Sequence, residues 1–418
     1  MTNDTQTIMM LCCKLSDKGA SKELNQREYT SLTDWLKANN LRPADMLKPD
    51  TVIEAAKGSG IDESRLVSLM GRGVQLALSV ESWNQIGIWI ISRSDDDYPN
   101  RIKEHLGSKA PPVFFCAGNR SLLEGGGLAI IGSRNVDAEG EEFARHAASK
   151  CASEYMPVVS GGARGVDQIA MKSALDAGGH VIGVLAENLS KQVLARDVRT
   201  AIADDQILLM TPYNPKSHFT IGNAMGRNKL IYAMADYGLV ISTDFNSGGT
   251  WSGAKEELKR KNARHVFVRI EGSPPPGNKK LLEIGAIGFP SMNEDTDMKL
   301  ALKQVSENTQ KSVEPEEQLS LFSSGMEGKP SVRELATESI LDTTKANKNE
   351  ASGQKEIPES IYDAVLPVIK SKLNEAMNIE ELTAALNVAK PQLNKWLKKA
   401  VSEGHIEKLK KPVRYKRK

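Results

Sequence analysis

The chain has 418 residues, 40% hydrophobic and 26% charged, the composition of soluble globular protein spread over roughly two to four domains. Its formal net charge is only +2, so any nucleic-acid site must come from local clustering and not from a globally basic chain. Cys12, Cys13, Cys116 and Cys151 form no CxxC pair and no histidine stands at zinc-finger spacing, which reads as incidental thiols of a reducing compartment without a metal or cofactor. The N-terminus has a short apolar patch but no basic n-region, and no stretch approaches the ~20 apolar residues of a membrane span. The expectation is a cytoplasmic protein with no membrane partner.

In chain order, residues 1–80 read as a helical module. Segments at Tyr29–Leu36, Val52–Ala56 and Glu63–Leu78 are punctuated by Gly58, Gly60, Gly71 and Gly73. A helix-hairpin-helix-like or SAM-like unit fits this pattern, and so does a plain packing or oligomerisation module. Residues 81–292 alternate two signals. Short apolar runs occur at Leu128–Ile131, Val158–Val159, Val181–Leu185, Ile207–Met210, Leu239–Ile241 and Val266–Ile270. Helix-like stretches lie between them at Glu139–Ser153, Val166–Ala177, Ala224–Ala235 and Ala254–Lys261. Such alternation predicts an α/β, Rossmann-like parallel sheet buried on both faces. Residues 293–357 are dominated by Ser, Glu, Lys, Thr and Gln and read as a flexible linker. Residues 358–418 predict helices at Ile361–Leu373, Ile379–Leu386 and Pro391–Ser402, then a basic hairpin, the form of a winged helix.

The chemistry concentrates where predicted strands end. Gly132-Ser133-Arg134 follows the strand at Leu128–Ile131. There, small residues let backbone N–H groups approach an anion, the next helix adds its positive end, and a guanidinium offers a planar fork for phosphate. Ser160-Gly161-Gly162-Ala163-Arg164 repeats the design after the next strand. The alternatives are a surface salt bridge for Arg164 and a first-turn helix carboxylate for Asp167. Gly226-Arg227-Asn228-Lys229 places polar residues in an otherwise apolar helix, and Ser247-Gly248-Gly249-Thr250 supplies glycines and a hydroxyl that suit a phosphate cradle. Trp251 and Phe219 could each stack on a base, but core packing is the expected role of both.

Together these four motifs resemble the DNA-processing protein A (DprA/Smf) family, over about Ser92 to Gly272. Asp97-Tyr98-Pro99-Asn100-Arg101 and Pro111-Pro112-Val113-Phe114-Phe115 match the family's lead-in to the first motif. The chain departs from the family pattern at Lys229, where arginine is usual, and at Gly162, where an apolar residue is usual. The lysine keeps the charge but loses bidentate geometry. The resemblance implies a non-catalytic, single-stranded-DNA-binding protein and a homodimer. It further implies delivery of RecA onto DNA during recombination and DNA uptake, or a phage-defence setting. By position it makes Arg134, Arg164 and Arg227 phosphate contacts.

Two further readings stand beside this one. The run SGGTWSGAKEEL is similar to the signature of nucleotide phosphoribohydrolases on the same fold, with Glu256 or Glu257 as the assisting glutamate. A nucleotide-binding sensor without turnover is a related possibility. In the linker, Gln318-Leu319-Ser320-Leu321-Phe322 looks like a docking peptide for the DNA-polymerase sliding clamp, with a chance apolar patch as the alternative. Lysines and arginines from Lys390 to Lys418 make the last segment a second candidate DNA contact.

Overall fold

The structure is a computed structural model that describes residues 1–15, 21–293, 296–311, 361–373, 376–386, 390–410 and 413–417. The described residues fall in two compact units, Met1–Ser320 and Leu321–Lys418.

The larger unit opens with five helices: α1 (Asn3–Cys12), α2 (Gln26–Ala38), α3 (Pro49–Ser59), α4 (Glu63–Met70) and α5 (Gly73–Asn84). Asn25 begins α2 with a capping box, its side chain accepting from the N–H groups of Arg27 and Glu28 while Glu28 returns to the Asn25 N–H. The apolar patch near the N-terminus is α1, with Ile8, Met9, Met10 and Leu11 buried. The helices are not a free-standing module. Their buried side chains belong to the same apolar cluster as one face of the sheet, and Trp83 of α5 meets Phe115 edge-on at 4.8 Å.

Nine strands follow: β1 (Trp89–Ser92), β2 (Val113–Gly118), β3 (Leu128–Ile131), β4 (Val158–Ser160), β5 (Val181–Val184), β6 (Ile207–Thr211), β7 (Tyr237–Val240), β8 (His265–Val268) and β9 (Ile287–Gly288). They form one sheet in the order β1-β2-β6-β5-β4-β3-β7-β8-β9. From β6 to β9 every pairing is parallel, whereas β2 pairs antiparallel with β6 and β1 antiparallel with β2. The six strands expected from apolar runs are all present. β1, β2 and β9 are additional.

The helices of this part are α6 (Asn100–Leu106), α7 (Ala138–Ser153), α8 (Val166–Asp176), α9 (Leu189–Gln192), α10 (Arg196–Ala203), α11 (Ile221–Met234), α12 (Gly248–Leu258) and α13 (Pro276–Glu283). Two apolar clusters cover the two faces. In β3, Leu128 and Ile130 enter the cluster shared with α7 and α8, while Ala129 and Ile131 enter the one shared with α11 and α12. Alternate residues are therefore buried on opposite faces, which is why the strand reads as an unbroken apolar run.

One boundary differs from expectation. The stretch assigned to the linker begins with α14 (Met298–Lys311), whose Met298 and Leu302 are buried and whose first N–H groups, those of Met298 and Lys299, bond the Glu154 carboxylate. Spacing of four residues puts Met298 and Leu302 on one helical face. A polar average hides that stripe. The pentapeptide Gln318-Leu319-Ser320-Leu321-Phe322 lies outside the described residues.

The smaller unit has α15 (Ile361–Lys372), α16 (Ile379–Leu386), α17 (Lys390–Ser402) and an antiparallel hairpin of β10 (Ile406–Lys410) and β11 (Val413–Arg417). Ile369, Leu373, Leu382, Leu393, Leu397, Ala400, Ile406 and Tyr415 form its core. Asn387, Val388 and Ala389, expected to join the second and third helices, lie outside the described residues, as do Lys411 and Lys418. Among the described residues no helix is long and apolar enough to cross a membrane.

Candidate nucleic-acid interface

The chain runs outward from β3 through β4, β5 and β6, then crosses to the other side of β3 with β7. Open α/β sheets bind ligands outside the strand carboxyl ends at such a reversal. A cleft of about 700 Å³ lies there, lined by Gly132, Ser133 and Arg134 after β3, Ser247 to Thr250 after β7, and Arg227 and Asn228 of α11. Ten of the sixteen residues in the four motifs thus meet in one hollow: Gly132, Ser133, Arg134, Ala163, Arg227, Asn228, Ser247, Gly248, Gly249 and Thr250.

The loops around the hollow are laced together. The Ser133 N–H donates to the Ser242 carbonyl at 2.8 Å, and the Thr250 hydroxyl donates to the Gly132 carbonyl at 3.0 Å. Asn228 Nδ2 donates to the Gly249 carbonyl at 2.9 Å. SGGT is itself the first turn of α12, which begins at Gly248 six residues before the expected helix start at Ala254. Its N-cap Ser247 makes no side-chain capping bond, so the helix presents first-turn N–H groups and its positive end to the cleft.

Arg134 is exposed, and its guanidinium lies 4.9 Å from the centroid of Phe219. Phe219 is 40% exposed on the rim, beside exposed Ile221 and Met225. The expectation of core packing fails for Phe219. It holds for Trp251, which is buried and meets Phe245 edge-on at 5.1 Å.

The second glycine turn behaves differently. Ser160 is buried, and its hydroxyl donates to the Ile130 carbonyl at 2.7 Å. Gly161 lies against Arg227: a Cβ there would stand 1.3 Å from Arg227 Nη1. Gly162 lines a separate cavity of about 820 Å³ with Met171 and Leu185, on the face covered by α8 and α10. Gly165, at φ +88°, brings the turn onto the carbonyls of Ser133 and Arg134, where a Cβ would have no room. Arg164 is exposed at the same end of the sheet, donating through Nη2 to Asn135 Oδ1 at 2.8 Å, but it does not line the cleft. Half-buried Lys229 does not line it either.

Arg227 corrects the expectation of a simple phosphate contact. It is 5% exposed, donates through Nη1 to Asp167 Oδ2 at 3.4 Å, and keeps Nε buried without a hydrogen-bond partner. Asp167, which does stand in the first turn of α8, is the internal partner. Burial pushes its carboxyl above the ordinary range, while Arg227 and backbone N–H bonds from Ala163 and Gly132 pull it down. The two glutamates of the enzymatic reading are elsewhere. Buried Glu257 bonds His105 Nε2 at 3.0 Å and the Arg264 N–H at 2.7 Å; Glu256 bonds Arg260 at 3.2 Å on the surface. Neither lines the cleft.

Comparisons with known proteins agree with this geometry. Residues 89–296 match the family model of DNA recombination-mediator protein A. The DNA processing protein DprA of Bacillus subtilis (strain 168) is 27% identical over 212 residues, 49% of this chain and 69% of its own length. That of Streptococcus pneumoniae (strain ATCC BAA-255 / R6) is 30% identical over 188 residues, 43% of this chain and 61% of its own. The X-ray structure of DNA processing protein A from Streptococcus pneumoniae aligns with a TM-score of 0.55 at 21% identity, covering 69% of this chain and 94% of that one, a likeness of fold. With all four glycine-rich and basic motifs gathered at one end of that fold, the chain belongs to the DNA-processing protein A family, whose members act on DNA in recombination.

Proposed function

We propose that the chain binds single-stranded DNA without base preference and performs no chemistry on it. The observation that carries this is the convergence of Arg134, Phe219 and the uncapped first turn of α12 on one cleft at the switch point between β3 and β7. A guanidinium and backbone N–H groups suit phosphate, and an exposed ring beside them suits a base. Arg164, one loop away, extends the cationic rim. The phosphoribohydrolase reading lacks support because its glutamates are engaged away from the cleft.

The test is a salt titration of binding to a labelled oligothymidylate. Affinity should fall steeply with salt, by a log–log slope of about 0.7 per phosphate neutralised on a single strand. Arg134→Ala with Arg164→Ala should weaken binding and flatten that slope. A salt-independent affinity, untouched by both substitutions, refutes the reading.

The wider role follows the family resemblance: a homodimer that helps place RecA on DNA, in recombination, DNA uptake or defence within the cytoplasm. The three helices and hairpin of 361–417 act in this reading as a winged helix that adds a second DNA contact. Gln318 to Phe322 docks on the sliding clamp. Loss of clamp affinity when Leu321 and Phe322 become alanine supports that docking, and unchanged affinity removes it.

A further inference from the structure

We propose that the floor of the cleft is a subsite for a phosphomonoester, the phosphorylated end of a DNA strand, held between the amino end of α12 and Arg227. This rests on the single-stranded-DNA reading and adds a preference for strand ends that the reading does not require.

Two independent features point to an anion there. α12 has 11 residues, and Gly248, Gly249 and Thr250 of its first turn line the cleft without a side-chain cap. A long helix so placed offers several N–H donors and the positive end of its dipole. Arg227 is the second feature. Its side chain is only 6% exposed, its Nε has no hydrogen-bond partner, and it lines the same hollow. A buried guanidinium whose one carboxylate stands at 3.4 Å is left with donors to satisfy.

The shape selects an end over an internal phosphate. Ile131, Asp167 and Ile231 also line the cleft, yet all three are buried. They close it from below. An internal phosphodiester carries a sugar on both sides and must run along the open rim, past Arg134 and Phe219. A terminal phosphate has one sugar and can enter end-on, leaving its own base at the exposed Phe219, Ile221 and Met225. Charge points the same way. The lining residues Arg134 and Arg227 are matched by Asp167 and Asp244, so formal charges cancel and attraction must come from donors at short range. A monoester offers three terminal oxygens and close to two charges at neutral pH, one oxygen more than a diester can give.

The experiment compares one short, internally labelled oligothymidylate carrying a 5′-phosphate, a 3′-phosphate or hydroxyls at both ends. Each is titrated with the full chain at fixed salt. One phosphorylated end should bind about tenfold tighter than the hydroxyl form, equivalent to ~1.4 kcal/mol. Asp167→Asn, which frees Arg227, should widen that ratio, and Arg227→Gln should narrow it. Thymidine monophosphate is added as a competitor. Displacement of the phosphorylated oligomer assigns the subsite to free nucleotides as well as strand ends, and no displacement restricts it to strand ends. Equal affinity for all three oligomers overturns the subsite and leaves single-strand binding standing. Failure of every oligomer to bind overturns both.

Discussion

Three glycine-rich turns end the consecutive strands β4, β3 and β7, and the one after β4 differs from the other two. After β4, the start of the turn is folded into the protein: Ser160 bonds the adjacent strand and Gly161 makes room for Arg227, while Arg164 stays exposed and bonds Asn135. After β3 and β7, Gly132-Ser133-Arg134 and Ser247-Gly248-Gly249-Thr250 border an open hollow. Glycines allow close approach by any neighbour, whether a ligand or the protein's own guanidinium. What sets the β4 turn apart is the side chain that arrives from α11.

That contrast can be broken from its buried side first. Arg227→Met leaves Asp167 without its cation in the interior and should cost about 3 kcal/mol of unfolding free energy. The loss should depend on pH with a definite sign. Asp167 already sits above its ordinary 3.8 because of burial, and losing Arg227, which lowers it, raises it further. A carboxyl with a raised folded-state pKa binds its proton more tightly when folded, so acidification through that raised pKa favours the native state. Denaturant melts should therefore show the Arg227→Met deficit shrinking as pH falls from neutrality toward the ordinary carboxylate range. A deficit that grows on acidification contradicts the assignment.

Gly161→Ala should come next, at about 2 kcal/mol, because its new methyl meets a buried guanidinium with little room to retreat. A wild-type melting curve for this variant would mean that Arg227 does not rest on the turn.

On the open side the losses should be of binding. Arg134→Ala should leave stability within ~0.5 kcal/mol, as for an exposed residue, while weakening oligothymidylate binding by about tenfold and lowering the salt slope by ~0.7. Phe219→Ala should cost ~1 kcal/mol of binding, the lower end for a stacking platform, with an unaltered salt slope, since the ring carries no charge. Anisotropy titrations at several salt concentrations separate the two. Equal slopes for both variants would mean that the arginine does not meet phosphate.

Much of this was legible in the residues. Strands buried on both faces leave apolar runs, so β3 to β8 could be placed to within a residue or two. β1 and β2 were harder because Trp89–Ser92 is a four-residue edge strand and Val113–Phe115 follows two prolines. Their antiparallel pairing comes from the β6 neighbour they meet, not from their own pattern. α14 was hidden in a polar stretch because only two of its apolar side chains, Met298 and Leu302, are buried. The N-terminal helices gave no sign that they share a core with the sheet, since an amphipathic face does not name its partner.

For the site, the residue types at the strand ends could be read along the chain: glycines, hydroxyls and guanidiniums beyond β3, β4 and β7. Those identities follow from local chemistry, because a short strand-to-helix turn needs small residues whatever lies next to it. Which guanidinium lies open to solvent and which is buried was set by packing between distant elements. Arg134 and Arg227 look alike along the chain, yet the first lies on a ring at the rim and the second beneath a glycine turn beside Asp167. Asp167 and Arg227 are sixty residues apart, and their meeting depends on how α8 and α11 pack at one end of the sheet, which no local pattern encodes.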